Sequence, residues 1–139
     1  MPSDLTLAIC MYNAAQYLPT TLTSVLQQTK PDFHLLLIDD CSTDNSCQIV
    51  SNFFKANPRQ YQLIQFEQNR GIAYARNYAL NIATTKYLLF IDSDDIIDPQ
   101  LVEKEYNKII SDNDLIGVSC WSEFINENDE KINGGTFLG

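Results

Sequence analysis

The chain has 139 residues, 45% of them hydrophobic, and a formal net charge of -9. That length and apolar content describe one domain with a core of its own and exclude wholesale disorder. With 18 acidic residues against 9 basic ones and no basic stripe, a nucleic-acid partner is excluded as well, because neutralising phosphates needs clustered Lys and Arg.

Apolar runs alternate with helix-period segments along the chain. Residues 5–10 read as a first strand, followed by a helix from about Ala15 with Leu18, Leu22, Val25 and Leu26 at helical spacing. Pro31 is expected to stop that helix. Residues 33–38 form a second strand, closed by the polar cluster 39–44, with Asp44 as N-cap of the next helix. That helix presents Ile49, Val50, Phe53 and Phe54 and ends near Pro58. Residues 61–66 make a third strand, and Gly71 opens a helix carrying Ile72, Ala75, Ala79 and Ile82. Residues 87–91, five apolar or aromatic side chains in a row, read as a fourth strand buried on both faces. Pro99 is placed at the first position of the following helix, with Val102, Tyr106, Ile109 and Ile110 on its apolar face. A fifth strand is expected over 115–121. Beyond it, Phe124-Ile125 and Lys131-Ile132 flank a polar turn as a hairpin or flap. The chain stops at 134–139 without a closing element, the pattern of a boundary inside a larger protein.

Strands alternating with helices predict an α/β fold with a mostly parallel sheet and right-handed crossovers. The C-terminal strand ends then share one edge, where open sheets of this kind place their ligands. Tyr12-Asn13, Asp39-Asp40 and the group Asp92, Asp94 and Asp95 all fall there. Crowded carboxylates repel one another unless something positive sits among them. A divalent cation carrying phosphate oxygens would relieve that repulsion; an acidic loop leading into a helix cap is the alternative. Tyr12 can stack on a base, although taken alone it reads as packing under a loop. Asp40 can accept hydrogen bonds from a base imide or a ribose hydroxyl. In the segment 69–77, Gly71 permits close backbone approach at a helix start. Arg76, a turn later, either reaches a phosphate bidentately or is an ordinary surface arginine.

Cys10, Cys41, Cys47 and Cys120 lack CxxC spacing and His34 is the single histidine, so zinc is not expected and free thiols in a reducing compartment are. No stretch approaches the roughly 18 apolar residues of a membrane span. The absence of glycine over residues 10–15 speaks against a Rossmann oxidoreductase. An aspartyl phosphotransferase using Asp92 or Asp94 as nucleophile is a further rival.

Five segments in register, 8–13, 26–29, 38–44, 69–77 and 90–95 leading to Pro99, give the chain its resemblance to the nucleotide-binding half of a family 2 glycosyltransferase of the GT-A fold. The resemblance implies a Rossmann-like three-layer α/β/α sandwich, with residues 1–121 as the nucleotide-sugar-binding core. Residues 122–139 would begin an acceptor-binding part whose remainder is truncated. It also implies site roles. Cys10 and Tyr12 would line the nucleobase pocket, where the family often has Pro or Thr at position 10. Asp40 would bind the base with support from Asp39, and Arg76 would sit near the diphosphate. Asn13, Asn69, Gly71 and Ser93 belong to the same nucleotide-sugar site. Asp92-Ser93-Asp94 matches the DxD motif, Asp92 contacting ribose or donor sugar and Asp94, with Asp92, holding Mn²⁺ or Mg²⁺.

The implied reaction is inverting transfer from a nucleoside-diphosphate donor, a UDP-sugar, to a glycan or lipid-linked acceptor in cell-surface polysaccharide synthesis. It would run in the cytoplasm, or at the inner face of the membrane within a longer protein. Glu123, Glu127 and Asp129 are the late carboxylates near enough to be considered as general base, and no motif marks any of them. The alternative is a non-catalytic, metal-dependent nucleotide-sugar-binding module.

Overall fold

The structure, a computed structural model, describes residues 3–132; the expected chain end at 134–139 lies outside the described residues. The chain divides into two units, Met1–Pro99 and Gln100–Gly139. In the first, strands β1 (Leu5–Met11), β2 (His34–Asp39), β3 (Gln62–Gln65) and β4 (Tyr87–Asp92) form a parallel sheet in the order β3-β2-β1-β4. Helices α1 (Leu18–Leu26), α2 (Ser46–Ala56) and α3 (Ile72–Ile82) connect them in turn.

The central strand β1 pairs on both sides, with Cys10 opposite Ile38 and Asp92, and all seven of its residues are buried. Strand alternation places Ala8 and Cys10, with Leu36 and Ile38, on one face of the sheet. There they meet Ala75 and Ala79 of α3; alanines one turn apart let the helix come close to the sheet. Leu7, Ile9, Met11 and Leu37 point to the opposite face and are buried too. Helices α1 and α2, packed on each other, cover that side and bury Leu18, Leu22, Val25, Val50 and Phe54. Each such side chain contributes about 1.5–3 kcal/mol relative to exposure. Helices on both faces of a parallel sheet make the expected three-layer α/β/α sandwich.

Several expectations are corrected. α1 begins at Leu18, not near Ala15: the Ala14 carbonyl accepts from the N–H groups of Tyr17 and Leu18 in a preceding turn, and Pro19 sits in the first helical turn. It ends at Leu26, ahead of Pro31. β4 is half-buried along Leu88, Leu89 and Phe90 rather than enclosed on both faces, because it forms an edge of the sheet among the described residues.

The second unit holds helix α4 (Leu101–Ile110). Its N-cap is Gln100, so Pro99 lies before the helix. No fifth strand forms over 115–121; the segment is irregular, with Ile116 and Trp121 exposed. Its β-branched and aromatic residues suit a pleated, half-buried surface, and strand character needs a partner ladder that they lack here. Ile125 and Lys131 form an antiparallel bridge, closed by Asn126 N–H to the Glu130 carbonyl and Ile132 N–H to the Phe124 carbonyl.

Candidate functional site

Chain progression in the first unit runs from β1 through β2 to β3, then returns to place β4 on the other side of β1. The crossover helices change face at the same point. In open sheets of this kind such a reversal places the ligand crevice outside the C-terminal strand ends, here those of β1 and β4.

Asp39 and Asp40 are adjacent, and alternation sends them to opposite faces. Asp40 is buried at 4% exposure. Its Oδ1 accepts the Arg70 N–H and its Oδ2 the Gly71 N–H, each at 2.7 Å. The Asp40 carbonyl accepts from Asn69 Nδ2 at 3.3 Å. This clasp fixes the loop that starts α3, and Gly71 there adopts φ 85°, ψ 160°, a region open essentially to glycine alone. No atom lies within 4 Å of where a Gly71 Cβ would stand, so the demand is conformational, not steric. Each carboxylate oxygen of Asp40 keeps a further lone pair for a ligand donor.

Asp39, equally buried, accepts the Ser42 N–H on Oδ2 while its Oδ1 has no hydrogen-bond partner. The Cys47 thiol lies close by; burial, with Asp39 adding to it, pushes that thiol up to about 11. Asn13 stands in the left-handed region at φ 49°. Its Oδ1 accepts from Thr43 N–H, Thr43 Oγ1 and Asp44 N–H, and its own N–H donates to Ser42 Oγ. Asp44 accepts from Ala15 N–H, Ser46 N–H and Ser46 Oγ. Burial pushes the Asp44 carboxyl up, but these hydrogen bonds outweigh it and hold the group below the ordinary value. The N-cap of α2 is Asn45, without a side-chain cap bond, so Asp44 serves the first turn from one residue further out. Asn13 and Asp44 thus tie the loops after β1 and β2 together.

Arg76, in the second turn of α3, is ion-paired with Asp92 at 2.5 Å, both side chains about half exposed. Its guanidinium also lies 5.8 Å from the centre of the Phe90 ring. Cys10 sits beneath this pair. Burial pushes its thiol up to about 11; Arg76 pulls it down, while Asp92 and Asp40 push it further up. Cys10 stands opposite Asp92 in the β1–β4 ladder, the Asp40 N–H bonds to the carbonyl of the next residue, Met11, and Tyr12 is half exposed at the same strand end.

Asp92 to Asp95 form a turn closed by Asp95 N–H to the Asp92 carbonyl. Burial and the charges of Asp92 and Asp94 raise the Asp95 carboxyl, the crowding that a cation would relieve. Among the described residues no three His, Cys, Asp or Glu side chains converge as a metal-holding group. Asp92 and Asp94 offer hard oxygen donors that fit Mg²⁺ or Mn²⁺ when other ligands complete the shell.

Sequence reasoning missed the polar staples that hold this loop on α1. Thr21 Oγ1 donates to the Ser93 carbonyl, the Ile97 N–H to Ser24 Oγ, and Gln28 Nε2 to the Asp98 carbonyl. Gln28, only 4% exposed, lies in one of the matched segments, and polar residues within an otherwise apolar helical face were the available signal. A separate groove of about 750 Å³ opens at the opposite sheet edge, near Thr6, His34 and Arg59. Arg59 there donates to the carbonyls of Pro31 and Phe33 and covers the Phe33 ring, which makes it a fold clasp.

The sequence pattern described as Glycosyl transferase family 2 matches residues 6–135. The putative teichuronic acid biosynthesis glycosyltransferase TuaG of Bacillus subtilis strain 168 is 39% identical over 94 residues, 68% of this chain and 37% of that protein. S. aureus TarS 1-349, solved in complex with UDP-GlcNAc, superimposes with a TM-score of 0.70 at 31% identity, over 78% of this chain and 32% of that one. The mannosyltransferase PcManGT from Pyrobaculum calidifontis, solved with GDP-Man and Mn²⁺, gives a TM-score of 0.71 at 23% identity, over 78% of this chain and 32% of that one. This last likeness bears on the fold alone. The chain spans about a third of the length of these proteins.

Proposed function

The chain belongs to glycosyl transferase family 2 and has the GT-A fold, and on that premise we propose that its crevice binds the nucleoside diphosphate of a UDP-sugar together with Mn²⁺ or Mg²⁺. The activity served would be inverting sugar transfer to a glycan or lipid-linked acceptor in cell-surface polysaccharide synthesis. The observation that carries this reading is the Arg76–Asp92 ion pair at the switch point of the sheet, opposite Cys10 in the ladder and with Asp40 bonded to the neighbouring Met11 carbonyl. A base stacked on Tyr12 would present its imide to the remaining lone pairs of Asp40. Arg76 would turn its planar donors to the phosphates. Asp92 and Asp94 would hold the cation, which when bound supplies positive charge against the charge growing on the diphosphate leaving group. The relatives named for teichuronic acid biosynthesis and solved with UDP-GlcNAc support this substrate class. No general base is assigned. Glu123, the first candidate, is ion-paired with Lys131 at 2.7 Å, both side chains well exposed.

Calorimetry with UDP, with and without Mn²⁺, tests the proposal. Binding is expected with the metal and strong loss of affinity in excess chelator; equal affinity under both conditions would sink the metal-bridged site. Among the described residues no helix is long and apolar enough to cross a membrane.

A further inference from the structure

We propose that Arg76 is a built-in counter-ion that closes Asp92 to a free divalent cation and is drawn off by the donor's diphosphate, so that metal and nucleotide enter together. This rests on the donor-site reading above and adds to it an order of events. Two observations carry it. The guanidinium of Arg76 bonds to Asp92 Oδ1, the same kind of oxygen a metal would need, and a cation arriving alone must displace it. Among the described residues no three His, Cys, Asp or Glu side chains converge as a metal-holding group either. A free ion would therefore meet Asp94 and the one remaining oxygen of Asp92, beside a positive charge.

A diphosphate changes both conditions at once. Its oxygens offer Arg76 a planar, doubly charged partner that competes well for a guanidinium, and they supply the ligands the protein lacks. The contest is an even one because the ion pair is half exposed on both sides, and pairs of that kind are weak. The latch therefore delays the metal without excluding it. Arg76 is well placed on α3 for such a latch. The Asp40 clasp pins the start of that helix through Arg70 and Gly71, so Arg76 is held within reach of the β4 end.

The test measures Mn²⁺ affinity without nucleotide, by the loss of the free-ion electron paramagnetic resonance signal, and UDP affinity at saturating Mn²⁺ by calorimetry. The 139-residue chain is compared with Arg76→Gln, Arg76→Lys and Lys55→Gln. Lys55 lies exposed in the last turn of α2, at the other end of the sheet, and controls for the lost charge alone. Arg76→Gln is expected to bind Mn²⁺ alone about tenfold more tightly, the order set by a unit charge a few ångströms from a divalent ion in a wet site. The same variant should bind UDP with Mn²⁺ more weakly, about tenfold or more. Arg76→Lys and Lys55→Gln should keep the original affinity for Mn²⁺ alone. Unchanged Mn²⁺ binding in Arg76→Gln, with UDP binding by the parent chain intact, overturns the latch and leaves the donor site standing. A gain in Lys55→Gln equal to that in Arg76→Gln overturns it too. Failure of the parent chain to bind UDP with Mn²⁺ overturns the donor-site reading, and the latch with it.

Discussion

Asp40 and Asp94 lie on one edge of the sheet, and their replacement separates fold from binding. The buried Asp40 carboxylate is the acceptor for two backbone N–H groups. Asp40→Ala would strand both, and with charge-assisted bonds lost the expected cost is about 2–4 kcal/mol, seen as a lower midpoint in urea unfolding. Asp94 is exposed, and removing one of three crowded charges eases repulsion. Asp94→Asn should keep the unfolding midpoint and lose the Mn²⁺-dependent part of UDP binding. A large drop in the midpoint of Asp94→Asn would make the acidic turn a structural feature. A residue can thus serve the ligand and the loop together, which the bare pair Asp39-Asp40 does not disclose.

At the scale of elements, the joint between the loops after β1 and β2 contains one ionised side chain, Asp44, beside the neutral Asn13. The hydrogen bonds on Asp44 hold its carboxyl below the unfolded value. Asp44's share of the joint's stabilisation is therefore complete above the unfolded carboxylate range and is lost as pH falls through the folded value. The melting temperature of the parent chain should exceed that of Asp44→Asn at neutral pH, with the gap closing as the solution is acidified below about pH 4; a constant gap would refute the assignment. The order of strands and helices was legible in the apolar periodicity, down to Ala75 and Ala79 as the buried stripe of α3. The number of neighbours of each strand was not. The run 87–91 is equally apolar whether one strand or two flank it, so β4 read as enclosed although among the described residues it is an edge. Likewise Pro99 looks like a helix start by itself, and only the hydrogen bond from Thr29 N–H to its carbonyl shows it tied to the preceding turn. The site's acidic motif and Arg76 were legible as residue types, while their pairing depended on the closeness of α3 to the sheet.

For the whole molecule, donor binding and sugar transfer are expected to separate. The 139-residue chain should bind UDP with Mn²⁺ but release UDP from UDP-sugars slowly, with little transfer to simple glycan acceptors. Positioning of an acceptor is worth up to about 7–11 kcal/mol and a general base about 10²–10⁴-fold, and the described residues display neither. Rapid turnover abolished by Glu123→Gln would refute this and make the Lys131 pair a resting state of the base. The sheet topology has a further consequence, in time. β1 precedes the other strands of this sheet in the chain, yet it pairs residue 5 with residue 87, so its second ladder waits until most of the first unit has been synthesised. Contacts this distant along the chain close slowly, and until then β1 carries an open edge of the kind that invites misassociation. The last piece to arrive, β4, brings Asp92 and Asp94 with it. On the donor-site proposal, a nascent chain would acquire its metal ligands in the same step that gives β1 its second neighbour, and a folding intermediate lacking β4 is expected not to hold a donor.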